Sequence, residues 1–219
     1  MPMLMLLCSA ALPCAAAPEV GTASEVSAAP VDADWILQKL ARPAPMRTAF
    51  VELRGSAMLK APLRIEGEYR RPDPDTLVRA VRSPYAETTT LRHGEATIAR
   101  AGKPPRKFSL SRVPELAGLQ ASFGALLSGD RSSLEKHYRL TPQGTRQQWT
   151  LVLAPLDAQM KGSVRDITLY GRGAELRCIE TRPLKGDLQR TLLAGAANAA
   201  AKAGSGDTLA ALCRAGAAG

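Results

Sequence analysis

Residues 63–70 read Leu-Arg-Ile-Glu-Gly-Glu-Tyr-Arg, with an apolar or small side chain at every second position and a charge between. A helix cannot use that pattern, because its faces repeat every 3.6 residues, whereas a strand presents alternate residues to opposite sides. The expected product is an antiparallel strand with one buried and one wet face. The preceding segment behaves similarly: Val51, Leu53, Gly55, Ala57 and Leu59 alternate with Glu52, Arg54, Ser56 and Lys60. Further strands are predicted at 76–82, 86–92, 96–100, 107–111, 138–141, 148–154, 163–170, 175–181 and 187–193, divided by Ser83-Pro84, His93-Gly94, 102–105, Pro142-Gln143-Gly144 and 171–173. That makes about ten or eleven strands.

Helical spacing interrupts the series. Asp32 caps a short helix over 33–41 with Trp35, Ile36 and Leu40 on one side, ended by Pro43 and Pro45. Residues 114–128 place Leu116, Leu119, Phe123, Leu126 and Leu127 at helical spacing between Pro114 and Gly129, and 130–136 add one further turn. Because this amphipathic helix splits the strands into two runs, an α+β, mainly β fold is expected: a large curved antiparallel sheet with a helical cover over an apolar cavity. By parity Leu63, Ile65 and Tyr69 share the concave face. Arg71 joins them if the strand runs regularly to Pro72, and is solvated if the strand ends at Arg70. A charge on an apolar face is costly without a partner.

The ends differ from the middle. Residues 1–16 are apolar and uncharged and finish in small residues, which reads as a secretory signal cleaved after Ala16, although the usual positive start is missing. Neither Cys8 nor Cys14 follows a good lipidation pattern. Residues 17–31 read as a flexible lead-in, and 195–219 as an Ala- and Gly-rich tail with a short helix at 207–214. No apolar run approaches the roughly 20 residues that cross a bilayer as a helix. Export leaves Cys178 and Cys213, which form either a structural disulfide or two separate buried thiols; their spacing fits no zinc or thioredoxin pattern.

Chemistry is scarce. His93 and His137 are the only histidines, one in a His-Gly turn and one beside Glu135 and Lys136, and both read as surface residues. Neither a zinc-protease helix, a nucleophile elbow nor a phosphate loop is present. Gly171-Arg172-Gly173 and Asp73-Pro74-Asp75 read as turns. No catalytic residue, metal ligand or cofactor site is expected. The formal charge of +9 is spread along the chain, and Phe 3, Trp 2 and Tyr 4 offer little base stacking, so nucleic acid is not an expected partner. An attraction to anionic lipid, or a solvated basic surface with no partner, remains open.

From Trp35 to Leu193 the chain resembles the periplasmic lipoprotein carriers called LolA, and more closely their divergent LolA-related branch. The resemblance rests on Gly67-Glu68-Tyr69-Arg70-Arg71-Pro72, Arg82-Ser83-Pro84-Tyr85, Leu91-Arg92-His93-Gly94, Leu126-Leu127-Ser128-Gly129, the 149–155 segment WTLVLAP and Ile167-Thr168-Leu169-Tyr170. It implies an unclosed β-barrel over residues 32–194 with a helical lid above a cavity for acyl chains, in a periplasmic, monomeric carrier that is not an enzyme. Its partners would be acylated lipoprotein or lipid cargo, an inner-membrane releasing complex and an outer-membrane receptor, each met transiently. Arg71 falls on the family's lid-latching arginine, and is expected to bond carbonyls of the 114–129 helix. The cavity lining would then be Leu63, Ile65, Tyr69, Leu116, Leu119, Phe123, Leu151, Leu153, Ile167 and Leu169. Two features depart from the family: few aromatics, and the Ala/Gly tail carrying Cys213. Divergent members beside aryl-polyene pigment clusters make a pigment-lipid accessory an alternative. A periplasmic lipid-sensing interaction domain is another.

Overall fold

The alternating segments pair into a single antiparallel sheet of eleven strands. In the computed structural model, residues 30–54, 62–110, 125–200 and 206–214 are described. The first run comprises β1 (Met46–Arg54), β2 (Leu63–Arg71), β3 (Thr76–Ser83), β4 (Glu87–Arg92), β5 (Glu95–Arg100) and β6 (Lys103–Ser109). The second comprises β7 (Tyr138–Gly144), β8 (Trp149–Pro155), β9 (Val164–Arg172), β10 (Glu175–Pro183) and β11 (Gln189–Leu193). Each run is a meander, and β1 pairs with β11 to join them, giving the order β6-β5-β4-β3-β2-β1-β11-β10-β9-β8-β7. The sheet is unclosed, with β6 and β7 as its edges.

Both edges carry proline, Pro104 and Pro105 in β6 and Pro142 in β7. The sequence reading treats these prolines as turn residues, yet each strand runs through them. A residue with no N–H is tolerated where no outer neighbour requires the donor.

Helix α1 (Ala33–Leu40) starts at Asp32, whose carboxylate accepts the Trp35 N–H at 2.8 Å, and buries Ile36, Leu37 and Leu40. Helices α2 (Arg131–Glu135) and α3 (Ala158–Lys161) are single turns. One apolar cluster joins α1 to Val81 on β3, Ile65 on β2, Phe50 on β1 and Tyr138 on β7. From β3 to β7 is seven strand spacings, about 34 Å across a flat sheet. An eight-residue helix is only about 12 Å long. The sheet must therefore curl around α1, and this clustered face is its concave side.

Two glycines let aromatic rings lie flat on that side. A Cβ at Gly67 would overlap the Phe50 ring and the Ala80 carbonyl, and one at Gly171 would overlap the Trp149 indole. Trp149 then reaches along the sheet to donate from Nε1 to the Gly173 carbonyl at 2.9 Å.

The convex side is covered too. After β11 the chain forms α4 (Ala194–Ala200) and α5 (Gly206–Arg214), and these enclose a second cluster with Val51, Leu53, Cys178 and Leu192. The sequence reading leaves 195–206 as tail and expects one wet face throughout. Instead β1, β10 and β11 bury residues on both sides. The alternation of β1 is real, but its apolar set, Val51 and Leu53, faces outward to α4 and α5, while Glu52 faces inward. The lead-in is also tied down at its end, where Pro30 bridges Thr145 and the Val31 N–H reaches the Gly144 carbonyl at 3.3 Å. The rest of the lead-in, the signal segment, residues 55–61 and the 114–124 portion of the predicted helix lie outside the described residues.

Candidate functional site

The concave side is not completely filled. Between the C-terminal end of α1, the start of β1, and the helical segment 125–128 lies a cavity of about 260 Å³. Its walls are Leu40, Met46, Thr48, Tyr69, Leu77, Leu126, Leu127, Leu176 and Leu193, with Arg42, Arg47, Ala174, Glu175 and Ala194 around the rim. Side chains from five strands, one helix and the cover converge here, and apart from its charged rim the space is apolar. That is the usual character of a small-ligand site.

Arg71 stands at the edge of this space. β2 continues regularly to Arg71, which pairs with Met46 and is only 9% exposed. Its Nη1 donates to the Arg42 carbonyl and its Nη2 to the Pro74 carbonyl, both at 3.2 Å. Both acceptors are backbone oxygens, and among the described residues no carboxylate pairs with it. Among the described residues Arg71 does not bond the 114–129 helix as expected; the described part of that cover, 125–128, is one peptide away, where the Arg42 N–H donates to the Leu127 carbonyl at 2.9 Å.

Arg42 is the residue that sequence reasoning misses. Its guanidinium donates to the Lys39, Ala41 and Ala174 carbonyls at 2.7–2.9 Å. The same residue thus links α1, the cover, the β9–β10 turn and Arg71. One signal is present in the sequence, a basic residue just past a helix end, where orphan carbonyls need donors. Its connection to Ala174, 132 positions away, has no local signal.

The residues expected to line the cavity divide into three groups. Tyr69 lines it. Ile65, Leu151, Leu153 and Leu169 are buried in the concave core, with Leu63 and Ile167 packed against them. Leu116, Leu119 and Phe123 lie outside the described residues. Alternation assigns a face correctly here, but position along the strand decides whether a side chain meets α1 or the open space.

A polar cluster adjoins Tyr69. Glu52, 5% exposed, receives Arg79 Nη2 at 2.5 Å and also Arg54 Nε. Arg79 lies 4.9 Å from the Phe50 ring centroid, and Phe50 and Tyr69 stand 4.7 Å apart. Burial pushes the Tyr69 phenol above its ordinary pKa, and the Glu52 charge adds to this. Burial opposes the charge on Arg79, but Glu52 and Tyr69 outweigh it and raise its pKa.

The histidines stay apart from all this. His93 and Gly94 occupy the β4–β5 turn with φ of 47° and 74°, the conformation a two-residue hairpin loop demands. His137 follows α2 beside a small polar pocket containing Asp130, Ser133 and Lys136. Hydrogen bonds from the Ser133 hydroxyl and N–H, then from Ser132, hold Asp130 at about 2. Asp73 and Asp75 form a turn, with the Asp75 N–H on Asp73 at 3.0 Å. Among the described residues no group of three or more His, Cys, Asp or Glu could hold a metal.

On the convex side Cys178 and Cys213 are bonded, both fully buried. Beneath them Glu180, 3% exposed, receives Arg190 Nε at 2.5 Å and the Tyr170 hydroxyl at 3.0 Å. Burial and the neighbouring Glu180 raise the Tyr170 pKa. No helix among the described residues is long and apolar enough to cross a membrane.

Residues 25–216 match the family described as outer membrane lipoprotein carrier protein LolA-like. Among solved structures, a LolA superfamily protein from Nitrosomonas europaea is 11% identical, with 75% of this chain and 91% of that chain covered and a TM-score of 0.38. LprF from Mycobacterium bovis is 14% identical, covering 74% and 91%, with a TM-score of 0.34. The MucA/MucB complex from Pseudomonas aeruginosa shares 18% identity over 82% of this chain and 60% of that chain, with a TM-score of 0.38. No curated protein matches the chain.

Proposed function

Because the chain belongs to the LolA-like outer membrane lipoprotein carrier family, we propose that it is a periplasmic carrier with no chemistry of its own, taking acyl chains of a lipoprotein or lipid into its concave cavity and shuttling them toward the outer membrane. The observation that carries this reading is the apolar space of about 260 Å³ beneath the 125–128 cover, with the buried guanidinium of Arg71 fastened to carbonyls at its edge. Filling an apolar cavity with an acyl chain contributes about 0.8 kcal/mol per buried methylene, enough to draw a chain from water.

Arg71 acts in this reading as the latch. In the empty carrier its hydrogen bonds hold the Arg42 peptide, and through it Leu127, over the cavity. Cargo entry exchanges those bonds for apolar burial as the cover moves aside. Charge-assisted bonds of this kind contribute about 1.5–3 kcal/mol each, so a few buried methylenes are sufficient to release them. Delivery would follow transient contact with a releasing complex at the inner membrane and a receptor at the outer membrane. Neither contact requires a catalytic group.

Native mass spectrometry of protein purified gently from its own periplasm tests the proposal. Co-purified acyl lipid or acylated protein is the expected result, with saturable rebinding of an N-terminally acylated peptide after delipidation. A protein that emerges empty and does not rebind such a peptide overturns it.

A further inference from the structure

The concave face carries a charge imbalance that structural packing does not require. One buried carboxylate, Glu52, serves two guanidinium groups, Arg79 and Arg54, so the cluster holds a net charge of +1. Arg79 and Glu52 already form the buried pair, and Arg54, whose side chain is half exposed, adds a second cation at its solvent side that the pair does not need. Arg79 is held in one orientation by Glu52, the Phe50 ring and the Tyr69 hydroxyl. A guanidinium has five N–H donors, and among the described residues Glu52 and Tyr69 are its hydrogen-bond partners. Donor capacity therefore remains for another acceptor.

Its position gives that acceptor a place. β2–β3 register sets Arg79 opposite Tyr69 on the same face, and Leu77 lies two residues along β3. Tyr69 and Leu77 both line the apolar cavity. The cationic cluster thus begins beside Tyr69, directly next to the cavity wall, as the head of an acyl lipid lies next to the first part of its chain. At a partly buried position a cation attracts an anion more strongly than it would in bulk water.

We propose that Glu52, Arg79 and Arg54 form a head-group site for an anionic acyl ligand, whose carboxylate or phosphate sits on Arg79 while its chain enters the cavity past Tyr69. The inference rests on the carrier reading above and deepens it, since an acylated cysteine is neutral and would gain little here. Among acyl ligands, anionic ones are thereby expected to bind more tightly than neutral ones.

Displacement of a bound fluorescent fatty acid from the full chain tests this, with palmitic acid, hexadecyl phosphate and methyl palmitate as competitors. At least one of the two anions should displace the probe at a concentration tenfold or more below that of the ester, and the better anion identifies the head group. Arg79→Gln should bring the anion-to-ester ratio below threefold with the ester's own affinity unchanged, and Arg79→Lys should restore part of the ratio. Should Arg79→Gln fail to fold, Arg54→Gln at the half-exposed member should lower the ratio at least threefold. Equal displacement by ester and both anions in the unaltered protein, or an unchanged ratio in the folded variants, overturns the head-group site. Strong binding of the ester in that case leaves the carrier reading standing; no displacement by any competitor overturns both.

Discussion

The two sides of the sheet are both covered by helices, but they are closed by different means. On the convex side Ala196, Ala197 and Ala200 lie at 0–3% exposure against Val51, Leu53 and Leu192, and the Cys178–Cys213 bond fixes α5 to β10. Small side chains permit close approach of a helix to the sheet. On the concave side the described part of the cover, 125–128, buries Ala125 and Leu126 and accepts the Arg42 N–H at the Leu127 carbonyl, Arg71 donates to the Arg42 carbonyl, and a cavity remains between them and the sheet. Hydrogen bonds to a few carbonyls can open and reform, whereas a buried disulfide holds. In the proposed carrier the disulfide-bonded face would stay shut while the other opens.

That contrast can be broken at the convex side first. Cys213→Ala removes a crosslink across 35 residues, and the chain-entropy account gives a loss of about 4 kcal/mol in unfolding free energy. Denaturant unfolding should show the loss, and limited proteolysis should show α5 cut early, while acyl-ligand affinity measured on the folded fraction stays within about twofold. A collapse of ligand affinity would show that the two sides are not independent.

Leu37→Ala strikes the concave core, where Leu37 is 1% exposed. About 3 kcal/mol of stability should be lost, since the cavity left by a buried leucine collapses only in part. Unlike the cysteine variant, this one should also weaken ligand binding, because α1 positions Leu40 and Arg42 at the cavity.

Arg71→Met separates latching from folding. It removes two charge-assisted bonds but keeps most of the aliphatic length and spares the desolvation of a buried cation, for a net cost of about 2 kcal/mol. Uptake of an apolar dye in stopped-flow mixing should quicken on the order of tenfold, because the closed cover loses the interaction that favours it. Unchanged uptake would place the latch elsewhere.

The smallest effect concerns acid. Asp130 joins the cover to α2, and its folded pKa of about 2 stands below the ordinary 3.8. The stability it contributes is therefore present above about pH 4 and disappears as the pH falls toward about 2. Thermal melts across that range should fall less steeply in Asp130→Asn, which keeps the cap but cannot titrate.

Much of the framework is legible in the amino-acid order. Strand positions follow from alternation, and α1 from Asp32 and the prolines behind it. The helical segment at 125–128 follows from the break in period after Ser111. Arg71 stands out because parity puts a charge in an apolar row. The α4 helix is not legible: 194–200 is almost all Ala and Gly, with no bulky residue to mark a face, and its helicity depends on the sheet it covers. The cavity's membership escapes for a related reason. Leu40, Leu77, Leu126, Leu176 and Leu193 lie in segments separated by up to 153 residues, and no local pattern brings them together.

The sequence by itself determined which residues of each strand belong together, where α1, α2 and α5 begin, that Pro142 and Pro104-Pro105 are unfit for a central strand, and that few groups are candidates for catalysis. Tertiary structure alone decided which side each set would face. Period-two alternation is unchanged when the two faces of a sheet are exchanged, so Val51 and Leu53 carry no mark that sends them outward to α4 and α5. Only the pairing of β1 with β2 on one edge and β11 on the other settles it. That same pairing turns Glu52 inward, onto Arg79, beside the cavity.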